Sequence, residues 1–267
     1  MNRKELFELI SKKKSFLCVG LDTDPAKLPD HLKNDPDGVY RFNKEIIEAT
    51  LPYAVSYKFN IAFYEAMGIE GWQVLERSLK LIPKGEALVI ADAKRGDIGN
   101  TAAQYAKAFF ETLDCDAITI NPYMGKDSVT PFLEYKSNWS IVLGITSNEG
   151  AQDIELIKAE SGRFVFEEAM EKLASYGSSD NLMFVVGATK PAYFEMVRKV
   201  APDHFLLVPG VGAQGGQLED LKALMTEDCG LLVNSSRKII YASSGIDFAE
   251  AAKQEAKNMQ AKMSVML

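Results

Sequence analysis

The chain has 267 residues, 47% of them hydrophobic, with 30 Lys and Arg against 37 Asp and Glu for a net charge of −7. This is the size and composition of one ordinary soluble domain. The acidic balance argues against a nonspecific nucleic-acid binder or a membrane-surface protein, since both need a cationic face. Two His and three Cys leave little material for a His-rich metal site or Ser-His-Asp chemistry. Cys18, Cys115 and Cys229 are far apart and form no C-x-x-C pair, so neither a zinc site nor a disulfide framework is expected. A reducing cytoplasm is the compartment that fits. Chemistry must come mainly from Lys, Asp, Ser, Thr, Gln and Arg.

In chain order, residues 1–14 carry positive charge without an apolar core segment and read as a short amphipathic helix, not a signal peptide. No apolar run approaches the ~20 residues of a membrane span. Short β-rich runs then recur at 15–22, 54–60, 87–94, 117–120, 141–146, 182–189, 205–211 and 231–236. Amphipathic stretches such as 39–51, 71–82, 100–113 and 163–177 lie between them. Strand alternating with helix indicates parallel βα units. Eight such units in about 250 residues is the count and size of a (β/α)8 TIM barrel, an α/β fold; an open doubly wound sheet is the alternative. No Pro/Gly/Ser linker divides the chain, so residues 1–267 read as a single domain. Segment 147–162 is longer than a typical βα loop and is a candidate lid. The helix-forming run at 249–263 reads as a closing surface helix.

Barrel chemistry sits where the strands end. The first strand ends in Leu21-Asp22, and alternation puts Gly20 and Asp22 on one face. The second carries Lys58 in Tyr57-Lys58-Phe59-Asn60. The third ends Asp92-Ala93-Lys94-Arg95-Gly96-Asp97, with Asp92 and Lys94 two apart and so on the same side. An internal salt-bridge network would also explain such charges, because buried charges must pair. Five ionisable groups at one barrel mouth are costly to desolvate and fit a functional site better. Arg95-Gly96-Asp97 also matches an integrin-binding tripeptide; without a secretion signal that match is treated as chance.

The seventh run ends Pro209-Gly210-Val211-Gly212-Ala213-Gln214-Gly215-Gly216. It formally contains G-x-G-x-x-G, but a dinucleotide fingerprint opens a βαβ unit with further strands to come, and only one strand follows. No G-K-[ST] makes it a P-loop. It reads as a Gly-rich loop whose backbone N–H groups can approach an anion, or as a plain flexible loop. The eighth run ends Asn234-Ser235-Ser236-Arg237, just before a short segment. Loops after strands seven and eight often form a phosphate site, and Gln214, Ser236 and Arg237 supply donors there. Ser147, at the fifth strand's end, can bond a heterocycle or cap a helix. His31, in a Pro/Asp-rich loop, and His204, before the seventh strand, read as structural. Phe109, Phe110 and Leu113 read as core.

Asp92-Ala93-Lys94-Arg95-Gly96-Asp97-Ile98-Gly99-Asn100-Thr101 resembles the D-x-K-x-x-D-I-x-x-T signature of the orotidine 5′-phosphate decarboxylase family. The resemblance runs across nearly the whole chain: Asp22 and Lys58 match the first- and second-strand residues, Pro209-Gly210-Val211-Gly212 with Gln214 the phosphate loop, and Ser236-Arg237 the final phosphate motif. The words KFNIAFYEAMG and NSSRKIIYAS are similar to the family's longer bacterial branch. One departure is that Gly215-Gly216-Gln217 follows Gln214 where some members place a Tyr. The resemblance implies decarboxylation of orotidine 5′-monophosphate to UMP in pyrimidine synthesis, with no metal and no organic cofactor. It implies Lys94 as proton donor, Asp92 and Asp97 beside it, and Lys58 and Asp22 paired at the ribose. Ser147 would meet the pyrimidine edge. Pro209, Gly210, Gln214, Ser236 and Arg237 would hold the phosphate, with residues 209–217 and the loop after Ser147 closing over the substrate. It further implies a homodimer in which Asp97, Ile98 and Thr101 complete the neighbour's site. Three other readings stay open: a Mg²⁺-dependent keto-sugar-phosphate decarboxylase of a related barrel family, a Schiff-base aldolase using Lys58 or Lys94, and a non-catalytic nucleotide-binding barrel.

Overall fold

Leu6, Leu9 and Ile10 share one face of the first helix, α1 (Arg3–Lys13), and all three are buried. That spacing of apolar residues on an otherwise charged helix leaves one stripe to pack inward. At the end of α1 the Lys13 ammonium donates to the main-chain carbonyls of Leu51 (2.8 Å), Ala54 (2.9 Å) and Glu86 (2.7 Å). One side chain thereby gathers three main-chain carbonyls from two separate stretches of the chain.

The computed structural model describes residues 1–211 and 215–267. Its eight strands, in chain order, close into one barrel, the (β/α)8 architecture expected from the sequence. Beyond the first two residues the chain forms two compact units, Arg3–Ala93 with Asn234–Leu267, and Lys94–Val233.

The first unit opens with α1 and β1 (Leu17–Gly20), then a 3-10 turn at Pro25–Lys27 capped by Asp24. His31 lies on the short helix α2 (Asp30–Lys33), not in a loop, and its ring faces Phe248 at 6.0 Å. Helix α3 (Gly38–Thr50) leads to β2 (Ala54–Asn60), and α4 (Ile61–Glu65) and α5 (Gly68–Leu79) lead to β3 (Leu88–Arg95). Strands β1, β2 and β3 pair in parallel, with Gly20 opposite Lys58 and Asn60 opposite Asp92. A parallel sheet covered on both faces is apolar along its whole length, as in the buried Val89, Ile90 and Ala91.

In the second unit α6 (Gly99–Lys107) runs into a π-turn at Ala108–Thr112, so the helix expected over 100–113 changes pitch near its end. The Phe109 and Phe110 side chains there are buried, as expected of core. Strand β4 (Ala117–Ile120), α7 (Thr130–Leu133), β5 (Trp139–Ile145), α8 (Val165–Ala174), β6 (Leu182–Val186), α9 (Phe194–Val200), β7 (Leu206–Val208) and β8 (Leu231–Ser235) follow. The seventh strand is shorter than the expected 205–211. Pro209 has no N–H to continue the ladder, and Gly210 turns the chain at φ 97°.

The first unit resumes with α10 (Arg237–Ile240) and α11 (Phe248–Ser264). Buried Phe248, Ala252, Ala256, Met259 and Met263 form a helical stripe. Phe248 stacks on Phe42 of α3 at 5.0 Å, which seats α11 as the closing helix.

Candidate active site

In the first unit, register decides which side chains meet. Lys58 lies opposite Gly20 on one side and opposite Ile90 on the other. Asp22 and Asp92 each lie two residues beyond those partners, so they share its face. The Lys58 ammonium stands 3.2 Å from Asp22 Oδ1 and 2.8 Å from Asp92 Oδ2. Burial alone would lower the Lys58 pKa, but the carboxylates of Asp92 and then Asp22 outweigh it and raise it above the ordinary range. The expected Lys58–Asp22 pair is present, and Asp92 joins it as a second carboxylate.

On the same face lies Cys18, whose thiol donates to Asn234 Oδ1 at 3.6 Å. Burial pushes this thiol up to about 12, so it stays protonated at neutral pH. Asn234 also donates to Ser236 Oγ at 3.2 Å. Gly20 is required by this packing: a Cβ there would run into Ser236 Oγ and its Cβ. Arg237, next in the chain, is exposed and begins α10.

In the second unit, Lys94 is exposed and adopts φ 47°. This left-handed conformation is costly for a residue with a Cβ and recurs at functional sites. The Lys94 N–H donates to Thr119 Oγ1 at 2.9 Å, which fixes the unusual turn. Asp97 Oδ1 accepts from the Ile98 N–H at 2.8 Å. Ile98 is 53% exposed, and Thr101 is exposed within the first turn of α6.

Ser147 follows Thr146 at the end of β5 and is half-buried. The segment after it is tied back to the strand: Glu155 accepts from the Thr146 N–H (2.8 Å) and the Thr146 hydroxyl (2.7 Å). Across from it, Gly187 packs so closely that a Cβ would collide with the Ser147 backbone at 2.7 Å. The Gly-rich loop is held at both ends. The Ala188 N–H donates to Pro209 O (2.9 Å), and the Gly216 N–H to Gly210 O (3.1 Å). Gln214 lies outside the described residues.

Sequence reading passed over Glu155 and over Asn43, Tyr64 and Tyr241, which hold the chain around Asp22. Asn43 alone left a signal: it falls on the apolar face of α3, between buried Phe42 and Ile46, where a polar side chain needs partners.

Residues 15–259 match the model of the Orotidine 5′-phosphate decarboxylase / HUMPS family. The chain belongs to this family. A relative from Phocaeicola vulgatus, named orotidine 5′-phosphate decarboxylase, is 53% identical over 270 residues, covering 100% of this chain and 99% of its own. One of the same name from Christiangramia forsetii is 53% identical over 267 residues, covering 99% of this chain and 98% of its own. Among solved structures, Leishmania donovani OMP decarboxylase superposes with a TM-score of 0.78 at 34% identity, over 98% of this chain and 99% of that one. The family resemblance of the Asp92–Thr101 signature and the barrel fold thus agree.

Proposed function

We propose that this chain decarboxylates orotidine 5′-monophosphate to UMP and CO2, as a carboxy-lyase of pyrimidine synthesis. The observation that carries this reading is that relatives bearing the decarboxylase name align along the whole chain at about half identity.

The chemistry explains the residue types. When the C6–carboxylate bond breaks, CO2 leaves and the electron pair stays on C6 in an sp² orbital outside the ring π-system. A fixed positive charge is needed there. The Lys94 ammonium meets that charge and then delivers its proton to C6; solvent restores the proton. Asp92, two residues before Lys94 in the chain, and the partner's Asp97 keep it charged and oriented. Lys58 and Asp22 bind the ribose hydroxyls, and Ser147 the pyrimidine edge. Pro209, Gly210, Gln214, Ser236 and Arg237 bind the phosphate. Rate accelerations of this class need about 8–23 kcal/mol of transition-state stabilisation. One Lys does not supply that, so preorganised charge and binding energy from the remote phosphate share it.

The protein works in the cytoplasm as a homodimer, a single catalytic domain per chain, with Asp97, Ile98 and Thr101 lent to the neighbouring site. The exposure of Ile98 and Thr101 is in keeping with that. Mixing inactive Lys94→Ala and Asp97→Ala proteins restores one intact site per hybrid dimer; no regained activity despite proven subunit exchange would refute sharing.

The deciding assay follows loss of orotidine 5′-monophosphate absorbance in the presence of EDTA. Turnover under those conditions is expected. Product formation only with added Mg²⁺ would favour the keto-sugar-phosphate class of chemistry. UMP binding without turnover would make this a nucleotide-binding barrel.

A further inference from the structure

Asp22 is the weaker partner of Lys58. Its carboxylate stands 3.2 Å from Nζ and is 19% exposed, against 2.8 Å and 9% for Asp92. Asp92 lies within β3, whereas Asp22 lies beyond the end of β1. Only part of its setting comes from the ladder, through the Leu21 N–H to Lys58 O at 2.8 Å. Something else must hold its backbone.

A buried polar network does so. The Tyr64 hydroxyl on α4 donates to Leu21 O at 3.0 Å. The Thr23 hydroxyl donates to Asn43 Oδ1 on α3 at 2.6 Å. Asn43 Nδ2 closes the circuit by donating to Tyr64 Oη at 3.1 Å and to Ser78 Oγ on α5 at 3.0 Å. Residues 21 and 23 are thus tied to one amide, with Asp22 between them. From the other side the Tyr241 hydroxyl accepts from the Asp24 N–H at 2.8 Å and donates to Asp22 O at 3.4 Å. Thr23, Asn43, Tyr64 and Ser78 are all buried. Buried polar groups cost free energy unless paired, and a fully paired network is rigid. Polar atoms of α3 and α4 thus reach the residues on either side of one carboxylate, and Ser78 of α5 braces Asn43.

We infer that Thr23, Asn43 and Tyr64, with Tyr241, are positioning residues that set the Asp22 carboxylate against Lys58 and so tune ribose binding. None of them touches substrate in this scheme; they act through Asp22. The kinetic part rests on the proposed function, because it assigns Asp22 and Lys58 to the ribose. A contact formed equally in ground and transition states changes KM and not kcat.

The test uses Thr23→Val, Thr23→Ser and Tyr64→Phe in the intact protein. Thr23→Val and Tyr64→Phe should raise KM for orotidine 5′-monophosphate by roughly tenfold with kcat within about twofold. Thr23→Ser keeps the hydroxyl and should behave as wild type. Wild-type KM in both deficient variants, or a Ser variant as impaired as Val, overturns the inference. Crystal structures give a readout that does not need turnover. The Lys58–Asp22 pair should lengthen beyond hydrogen-bond reach in Thr23→Val, and an unchanged pair in both deficient variants overturns the inference whatever the wild type does. Absent wild-type turnover with a lengthened pair would count against the proposed function alone. Should Thr23→Val not fold, Tyr64→Phe and Tyr241→Phe carry both readouts.

Discussion

Lys58 Nζ lies 2.8 Å from Asp92 Oδ2, with side-chain exposures of 5% and 9%. Two charges this far from water cost several kcal/mol each to desolvate. A hydrophobic pair of similar volume would stabilise the barrel as well or better, so stability alone does not account for the ions. Their geometry fixes a charged lysine beside a second carboxylate, Asp22, at the end of β1.

Lys58→Met should therefore be severe. It leaves Asp22 and Asp92 without their shared cation, and removal of one partner from a buried pair costs about 3–5 kcal/mol. The urea midpoint should fall and turnover should vanish. The double variant Lys58→Met/Asp92→Leu should regain much of the stability but no activity. An unchanged midpoint in the single variant would show that the pair is not buried as described.

Lys94 separates a stability effect from a chemical one. Its φ of 47° strains any residue with a Cβ, and glycine relieves that strain, worth on the order of 1 kcal/mol. Lys94→Gly should match or exceed Lys94→Ala in thermal midpoint. Both should lose turnover while UMP affinity, followed by calorimetry, stays near wild type. Retained turnover in either variant would remove Lys94 as the proton donor.

The parts legible in the sequence were those set by local pattern. Strands β2 (Ala54–Asn60) and β4 (Ala117–Ile120) fall on the expected residues, because an apolar run with a clear polar end marks a buried parallel strand. The Asp22–Lys58 pairing came with the family resemblance. What stayed hidden depends on partners distant in the chain. Asp92 bonds Lys58 because Asn60 is its register neighbour, which no single strand reveals. The left-handed backbone of Lys94 is held by a hydrogen bond from its N–H to Thr119, 25 residues away. Tyr64 and Tyr241 look like ordinary aromatics until their hydroxyls are seen against Leu21 and Asp24. Glu155 lies within the segment expected as a lid, and the two hydrogen bonds it accepts from Thr146 are a tertiary contact.

Gly20 offers a test of the phosphate assignment from inside the barrel. A methyl group there would displace Ser236 Oγ, one residue before Arg237. Gly20→Ala should weaken UMP binding far more than uridine binding, in the same sense as Arg237→Ala. For Arg237→Ala the loss should approach the range of a charge-assisted contact, about 1.5–3 kcal/mol, measured as the ratio of the two Kd values. Equal losses for nucleotide and nucleoside would place the phosphate elsewhere.

Alkaline pH should expose the buried thiols. Burial raises Cys18 and Cys229 from 9.0 to about 12. The folded protein therefore keeps these protons where the unfolded chain has lost them. By linkage, this stabilisation is fully present below pH 9 and is lost as pH rises toward 12. Lys13 acts oppositely, because burial lowers it from 10.5 to about 8, which favours folding as pH rises through that window. The informative quantity is thus a difference. Unfolding free energy should fall more steeply above pH 9 in the wild type than in Cys18→Ala, since only the former has that thiol to ionise on unfolding. The same burial should make the thiol inert to iodoacetamide at pH 8, where roughly one in ten thousand is ionised, until denaturant is added. Parallel stability curves together with rapid native-state alkylation would show that Cys18 reaches solvent, and that the floor beneath Lys58 is open.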